Sequence, residues 1–239
     1  MKKFNIFLTF SLLLVSSSLF ANNAKVTVQI ENIPMIKSIG AKVVKVIDQG
    51  LVYQFKAEVK GDRPGQIEGF VSKDMTTLFT GKAYDTKTSK PFAIPFDVNV
   101  ELLKSLAAYK AGDGKDVYFL FTDPECPYCQ KLEKKLTKLK KNITIYTILF
   151  PLDFHKNAKK MCRYILSQKD NESKVKAMKD IANKSDKYTK AKYSTKELTT
   201  LNAKIDAGFK EALKIGISGT PTILNAKGVR VFSEDILTK

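Results

Sequence analysis

Two cysteines separated by two residues, Cys126 and Cys129, have the type and spacing needed for thiol–disulfide exchange. They follow the apolar run Val117–Phe121 and precede the lysine-rich stretch Gln130–Lys141. An apolar run without alternation is typical of a strand buried on both faces of a sheet. The apolar spacing after the pair predicts a helix, with one face formed by Cys129, Leu132, Leu136 and Leu139.

The expected position of each cysteine on that helix predicts its role. Cys126 lies at the helix start, where unpaired N–H groups and the macrodipole favour a thiolate, so it is the candidate nucleophile. Pro127 fits the first turn, where a missing N–H costs little. Cys129 lies one turn further on the apolar face, so it is the candidate resolving cysteine. We also assign Pro127 and Tyr128, between the cysteines, to substrate binding.

Two other interpretations of the pair remain open. A Cys-x-x-Cys pair can be half of a zinc site, but Cys162 and His155 do not form a second closely spaced pair of ligands. A purely structural disulfide would close too small a loop to restrain the unfolded chain much. The sequence therefore favours redox chemistry by the cysteines themselves, with no metal and no cofactor.

The start of the chain and its charge predict where the protein acts. Residues 1–21 combine a basic start, an apolar middle and a small residue, Ala21, as expected of a cleaved secretory signal, with a retained anchor as the alternative. The net charge is +17, but only Arg63, Arg163 and Arg230 of the 41 basic residues are arginines. Arginine is preferred for bidentate recognition of bases and phosphates, so the sequence argues against nucleic-acid binding. We expect an exported, soluble protein.

The remaining chain divides into two domains in the predicted organisation. Residues 22–95 are expected to form an α+β domain with a strand majority, including Lys25–Ile30 as its first strand, while Met35–Ile47 could be a helix or a strand. Two prolines in Ser89–Pro95 mark the boundary. A linker helix is predicted within 96–112, because Asn99 can cap a stripe of leucines ending near Lys110.

Residues 113–239 are predicted to form the catalytic α/β domain. The order is strand, cysteine loop, helix, strand Ile143–Leu149, three helices, a terminal hairpin and a short last helix. A strand–helix–strand unit of this kind is normally parallel and right-handed. The predicted helices cover about 155–168, 172–183 and 196–214.

Two phrases of the second domain resemble the periplasmic disulfide isomerase family of DsbC and DsbG. They are Phe121–Leu132, around the cysteine pair, and Leu213–Thr222, about ninety residues later. The resemblance implies a thioredoxin fold with a helical insertion. Residues 22–95 match mainly in layout, and Phe79–Tyr84 resembles the last strand of the family's dimerisation domain.

The resemblance also implies the rest of the site. Thr220–Pro221 would be a cis peptide beside the cysteine pair, with the Thr220 backbone pairing to the substrate chain. The chain departs from the family in having only Cys162 in the insertion, which we interpret as a small apolar residue packed on a helix. His155 is interpreted as a surface residue, and Glu125 as an exposed carboxylate that opposes a thiolate at Cys126 only weakly.

The predicted function is that of an exported disulfide isomerase and reductase. The alternatives are a dithiol oxidase like DsbA, a reductase of single oxidised cysteines like DsbG, and a holdase chaperone. The resemblance implies exported cysteine-containing proteins as substrates and a membrane thiol reductase of the DsbD type as electron donor. Residues 22–95 are short of core, so a homodimer is expected, with two catalytic modules on helical arms facing a shared cleft.

Overall fold

The computed structural model describes residues 24–60, 65–81, 83–89, 91–136 and 140–237. The chain divides into two compact units, Met1–Ile94 and Pro95–Lys239. The predicted signal, residues 1–21, lies outside the described residues. Of the helices in the described part of the chain, none combines the length and apolar character needed to cross a membrane.

In its described residues, the first unit contains two short helices and a four-stranded antiparallel meander. The helices are α1, residues 24–31, and α2, Pro34–Ser38. The strands, paired in the order β1-β2-β3-β4, are β1 Lys42–Asp48, β2 Val52–Val59, β3 Gly65–Ser72 and β4 Leu78–Thr80. The undecided stretch Met35–Ile47 therefore contains most of α2 and β1.

The first predicted strand is wrong, because Lys25–Ile30 belongs to the helix α1. Val26, Val28 and Ile30 alternate, but only Val26 and Ile30, four residues apart, are buried, while Val28 is 56% exposed. The two buried residues pack in one core cluster with Phe55. Helical packing against the sheet thus overrides the strand preference of three β-branched residues.

The second unit is built on a five-stranded mixed sheet in the order β5-β7-β6-β8-β9. Its strands are β5 Tyr109–Ala111, β6 Asp116–Thr122, β7 Ile143–Leu149, β8 Thr222–Asn225 and β9 Arg230–Val231. β6 and β7 are parallel, as predicted, and β8 and β9 form the predicted antiparallel pair. Its α-helices are α3 Val100–Leu106, α4 Pro127–Lys135, α5 Ala158–Leu166, α6 Asn171–Ala182, α7 Thr195–Lys214 and α8 Ser233–Ile236, and Lys187–Thr189 is a 3₁₀ turn.

The helix predicted to reach Lys110 is shorter and does not stand free. Asn99 caps α3 by accepting a hydrogen bond from Leu102 N at 3.0 Å, as expected. The helix ends at Leu106, however, and Tyr109–Ala111 pairs with β7 as an edge strand. Leu103 is buried in a core cluster with Phe119, so α3 packs within the second unit and the helical-arm prediction is wrong.

The central strand β6 is buried on both faces, as predicted from its apolar run. Phe119 and Phe121 belong to one core cluster, and Leu120 belongs to another. Successive side chains of a strand point to opposite faces, so the alternation assigns the two clusters to opposite sides of the sheet. This packing holds the carboxyl end of β6, where the cysteine loop begins, between two hydrophobic layers.

Candidate active site

The cysteine loop leads directly from β6 into α4. Cys126 occupies the position that caps α4, with an extended backbone, and Pro127 is the first helical residue. Cys126 is 6% exposed and Cys129, one turn further, is 1% exposed. Both thiols are free. The pair is therefore asymmetric, with the outer sulfur at the positive end of a helix and the inner one facing the core.

A segment distant in sequence completes the surroundings of Cys126. The Thr220–Pro221 peptide bond is cis, which confirms the conformation expected from the resemblance. The Sγ of Cys126 lies 3.9 Å from the carbonyl oxygen of Thr220. The structure thus brings Cys126, Thr220 and Pro221 together at the end of the sheet where β6 finishes and β8 begins.

Burial controls the protonation of the inner cysteine. Loss of hydration raises the pKa of Cys129 to about 12, and the hydroxyls of Thr122 and Thr220 and the Asp123 N–H oppose this only in part. The Asp123 N–H lies 3.5 Å from the sulfur. Cys129 is therefore a thiol at neutral pH in this form of the site.

Asp123 anchors the cysteine loop to the segment after β7. Its carboxylate is fully buried and accepts hydrogen bonds from Leu152 N at 2.7 Å and Glu125 N at 2.8 Å. His155 Nδ1 lies 2.8 Å from the same carboxylate. The interpretation of His155 as a surface residue is wrong, since its side chain is only 18% exposed and contacts the loop.

The carboxylate of Glu125 is also held by the segment after β7. It accepts hydrogen bonds from Asn157 N at 2.6 Å and from Asn157 Nδ2 at 3.1 Å. It is therefore part-buried and hydrogen-bonded, which corrects the expectation of an exposed charge screened by water. The negative charge of a carboxylate that accepts two hydrogen bonds is partly dispersed over the two donors.

A second buried acid lies on α4, one turn beyond Cys129. Glu133 is 3% exposed, and burial raises its pKa to about 7, partly opposed by Lys179 and by Tyr109. Its Oε2 lies 3.5 Å from the hydroxyl of Tyr109, on the edge strand β5. Burial and the nearby Glu133 charge hold the pKa of Tyr109 well above its usual range. Glu133 lies four residues after Cys129 and so on the same side of the helix, but glutamate is rarely buried, and the sequence analysis did not predict this burial.

The remaining assigned residues differ in exposure. Tyr128 is 75% exposed beside the cysteines. Cys162 is fully buried in the core formed by the helical insertion, beside Ile165 and Met178, and burial raises its pKa well above the usual range. These surroundings are those of a packed, unreactive thiol, as interpreted from the sequence.

Comparisons with known proteins agree with this geometry. Residues 103–234 match the family described as Thioredoxin-like domain. The thiol:disulfide interchange protein DsbC of Escherichia coli K12 is 28% identical over 173 residues, covering 68% of this chain and 66% of that protein. The DsbC of Haemophilus influenzae is 27% identical over 165 residues, covering 66% of this chain and 67% of that protein. The match to the E. coli protein thus spans slightly less than two thirds of its length.

A solved structure of Helicobacter pylori DsbG aligns with 83% of this chain and 98% of its own, at 17% identity and a TM-score of 0.40. The relatives named DsbC confirm the predicted resemblance to thiol:disulfide interchange proteins of that type. The match to the family covers more than half of the chain, and the protein belongs to the thioredoxin-like domain family.

Proposed function

We propose that the protein is an exported thiol–disulfide oxidoreductase that acts mainly as a protein disulfide isomerase and reductase. The observation that carries the proposal is the asymmetry of the cysteine pair. Cys126 occupies the N-cap position of α4 beside the Thr220 carbonyl, while Cys129, one turn further in, is a thiol with a pKa of about 12. The similarity to DsbC proteins supports this choice within the family.

The proposed reaction begins with the Cys126 thiolate. It attacks one sulfur of a substrate disulfide, forming a mixed disulfide and releasing the other substrate sulfur as a thiolate. In isomerisation another substrate thiolate then attacks the mixed disulfide, which restores Cys126 without net oxidation. In reduction Cys129 loses its proton to solvent and attacks the sulfur of Cys126. The substrate leaves as a dithiol, and its two electrons have come from the protein.

The protonation of Cys129 favours isomerisation over immediate release. Burial keeps Cys129 a thiol at pH 7, and a thiol must lose its proton before it attacks, so its attack on the mixed disulfide is slow in these surroundings. A substrate held at Cys126 thus has time for a second exchange step. After net reduction the disulfide form needs a dithiol donor, and we assign this role to a membrane thiol reductase of the DsbD type.

We propose that substrate polypeptides bind around the outer sulfur. The backbone of Thr220, beside Pro221, would pair with the extended substrate chain. Pro127 and Tyr128 would contact its side chains from the other side of Cys126. The 75% exposure of Tyr128 supports this assignment, because an aromatic ring left in water favours burial by a partner.

The first unit supports the proposed homodimer. β4 is an edge strand of the meander, and Phe79 on it is 48% exposed. An apolar pocket of about 350 Å³ lies beside Phe79 and is lined by Val52, Phe70 and Ala83. An unpaired edge with an exposed aromatic residue favours association with a second copy.

We place the protein in the periplasm, after removal of residues 1–21.

The direct test is refolding of scrambled ribonuclease by residues 22–239. We expect the wild type to restore ribonuclease activity and Cys126→Ala to abolish this. Cys129→Ala should accumulate mixed disulfides, while Cys162→Ala, the matched control, should act like the wild type. The proposal would be overturned if Cys162→Ala lost the refolding activity while Cys126→Ala and Cys129→Ala kept it. The oxidase alternative would replace it if the pair is mostly disulfide in cells.

A further inference from the structure

A groove beside the cysteine pair has a chemical character that the proposed exchange reaction does not explain. It has a volume of about 470 Å³ and lies between α4 and the end of the sheet. Tyr128 and Pro221 line it next to the reacting sulfur, and Phe232, which is 54% exposed, lines it after β9. We call this site the basic groove.

The charges of the basic groove are mostly positive. Lys131 and Lys135 line it from α4, and Arg230 lines it from β9, with Glu234 as the negative residue of the lining. Glu234 lies near Lys135 and offsets part of its charge. In the described part of the chain, the ion pairs include neither Lys131 nor Arg230. The groove therefore has two cations whose charge is available to a ligand.

One of these cations is held in place. Arg230 Nη2 donates a hydrogen bond of 2.6 Å to Thr222 Oγ1, across the pair formed by β8 and β9. Thr222 follows Pro221 directly, so the guanidinium is fixed relative to the cis-proline segment. A planar guanidinium fixed in this way has further donors for a carboxylate.

We propose that the basic groove selects substrate segments in which acidic side chains lie within a few residues of the reacting cysteine. This deepens the proposed function and rests on it, because the segment is presented by the disulfide bonded to Cys126. The carboxylates would pair with Lys131 and Arg230. An apolar side chain of the same extended segment would cover Phe232 and the Tyr128 ring.

The size and position of the groove fit this occupant. Pro221 contributes to its wall, and the carbonyl preceding Pro221 lies 3.9 Å from Cys126 Sγ, so a chain attached to that sulfur enters the groove within a few residues. β9 is an edge of the sheet among the described strands, which leaves its outer side open to an extended peptide.

The test compares peptides that differ only in the charge beside one cysteine. Each of three peptides contains one cysteine that is joined to glutathione as a mixed disulfide. The peptides have two Glu, two Gln or two Lys on either side of that cysteine. One equivalent of pre-reduced protein reduces each mixed disulfide, and the rates are compared. We expect the Glu peptide to react about tenfold faster than the Lys peptide at low salt, since each exposed ion pair contributes about a twofold to fivefold effect. The preference should weaken at high salt.

Substitutions distinguish an effect of the basic groove from an effect of the high overall charge of the chain. Lys131→Gln and Arg230→Gln should each reduce the Glu-to-Lys rate ratio by about twofold to fivefold. Lys227→Gln, an exposed lysine in the β8–β9 turn outside the groove, removes the same charge and should leave the ratio unchanged. An equal effect of all three variants would overturn the proposal, because net charge alone would then explain the preference.

A further measurement keeps this inference separate from the proposed function. The wild type should also reduce hydroxyethyl disulfide, which has no side chains to occupy the groove. If it does so but reduces the three peptides at equal rates, the groove proposal fails and the proposed function stands. If it reduces neither the small disulfide nor the peptides, the proposed function fails.

Discussion

Glu133 is the residue whose protonation most clearly affects the fold. Burial raises its pKa to about 7 from a usual 4.5, so the folded protein binds more protons than the unfolded chain between those values. Stability should therefore fall as the pH rises from about 4.5 to 7, and change little from this group above that. Ionisation of Glu133 thus lowers the free energy of unfolding at pH 8 by roughly 3 kcal/mol, relative to a pH below 4.5.

We predict that Glu133→Gln removes this pH dependence. The amide has a similar shape and stays neutral, so the variant should be more stable than the wild type at pH 8 by about 2 kcal/mol and similar at pH 5. Urea midpoints between pH 5 and 8 provide the measurement. Parallel curves for the two proteins would show that Glu133 does not titrate in this range.

We expect Thr220 to affect the chemistry of Cys129 rather than the stability of the fold. Its hydroxyl is buried without a hydrogen-bond partner among the described residues while Cys129 is a thiol. It can donate to the sulfur once Cys129 ionises, which acts to lower the pKa of Cys129. We predict that Thr220→Val leaves stability nearly unchanged but lengthens the life of the mixed disulfide by about threefold to tenfold, as expected for loss of one hydrogen bond to a thiolate. Acid-quenched mixed disulfide is the readout. Thr200→Val on α7 is the control, and equal lifetimes in all three proteins would contradict this role.

At the scale of elements, Asp123 joins the end of β6 to the segment after β7. We predict that Asp123→Ala destabilises the protein by about 3 kcal/mol, because buried donors of Glu125, Leu152 and His155 lose their acceptor. The control Asp113→Ala removes an exposed pair with Lys110 and should cost less than about 1 kcal/mol. Denaturant unfolding distinguishes them, and similar losses in both would refute the anchoring role.

The sequence predicted elements whose pattern is local and missed those decided by distant contacts. β7 and the burial of β6 followed from apolar runs, and the start of α4 followed from Pro127 after Cys126. β5 was not predicted, because Tyr109–Ala111 continues the apolar stripe of α3. It forms a strand only by pairing with β7. The partner of Asp123, His155, lies 32 positions away, and no local periodicity connects them.

At the scale of the molecule, we predict that residues 22–94 make a homodimer. The exposed edge at β4 and Phe79 provides the reason, since a second copy would cover them. Residues 22–239 should be dimeric by light scattering, whereas residues 95–239, which match one compact unit, should be monomeric. The shorter protein should still reduce small disulfides but lose most isomerase activity. A monomer of residues 22–239 at micromolar concentration would contradict the dimer.

The whole account depends on one thiol being the attacking group. The most direct measurement is the alkylation rate of each cysteine in the reduced native protein at pH 7, followed by peptide mass spectrometry. Cys126 should react much faster than Cys129, whose pKa is about 12, and fully buried Cys162 should react only after unfolding. Alkylation of Cys129 or Cys162 at least as fast as that of Cys126 would contradict the account.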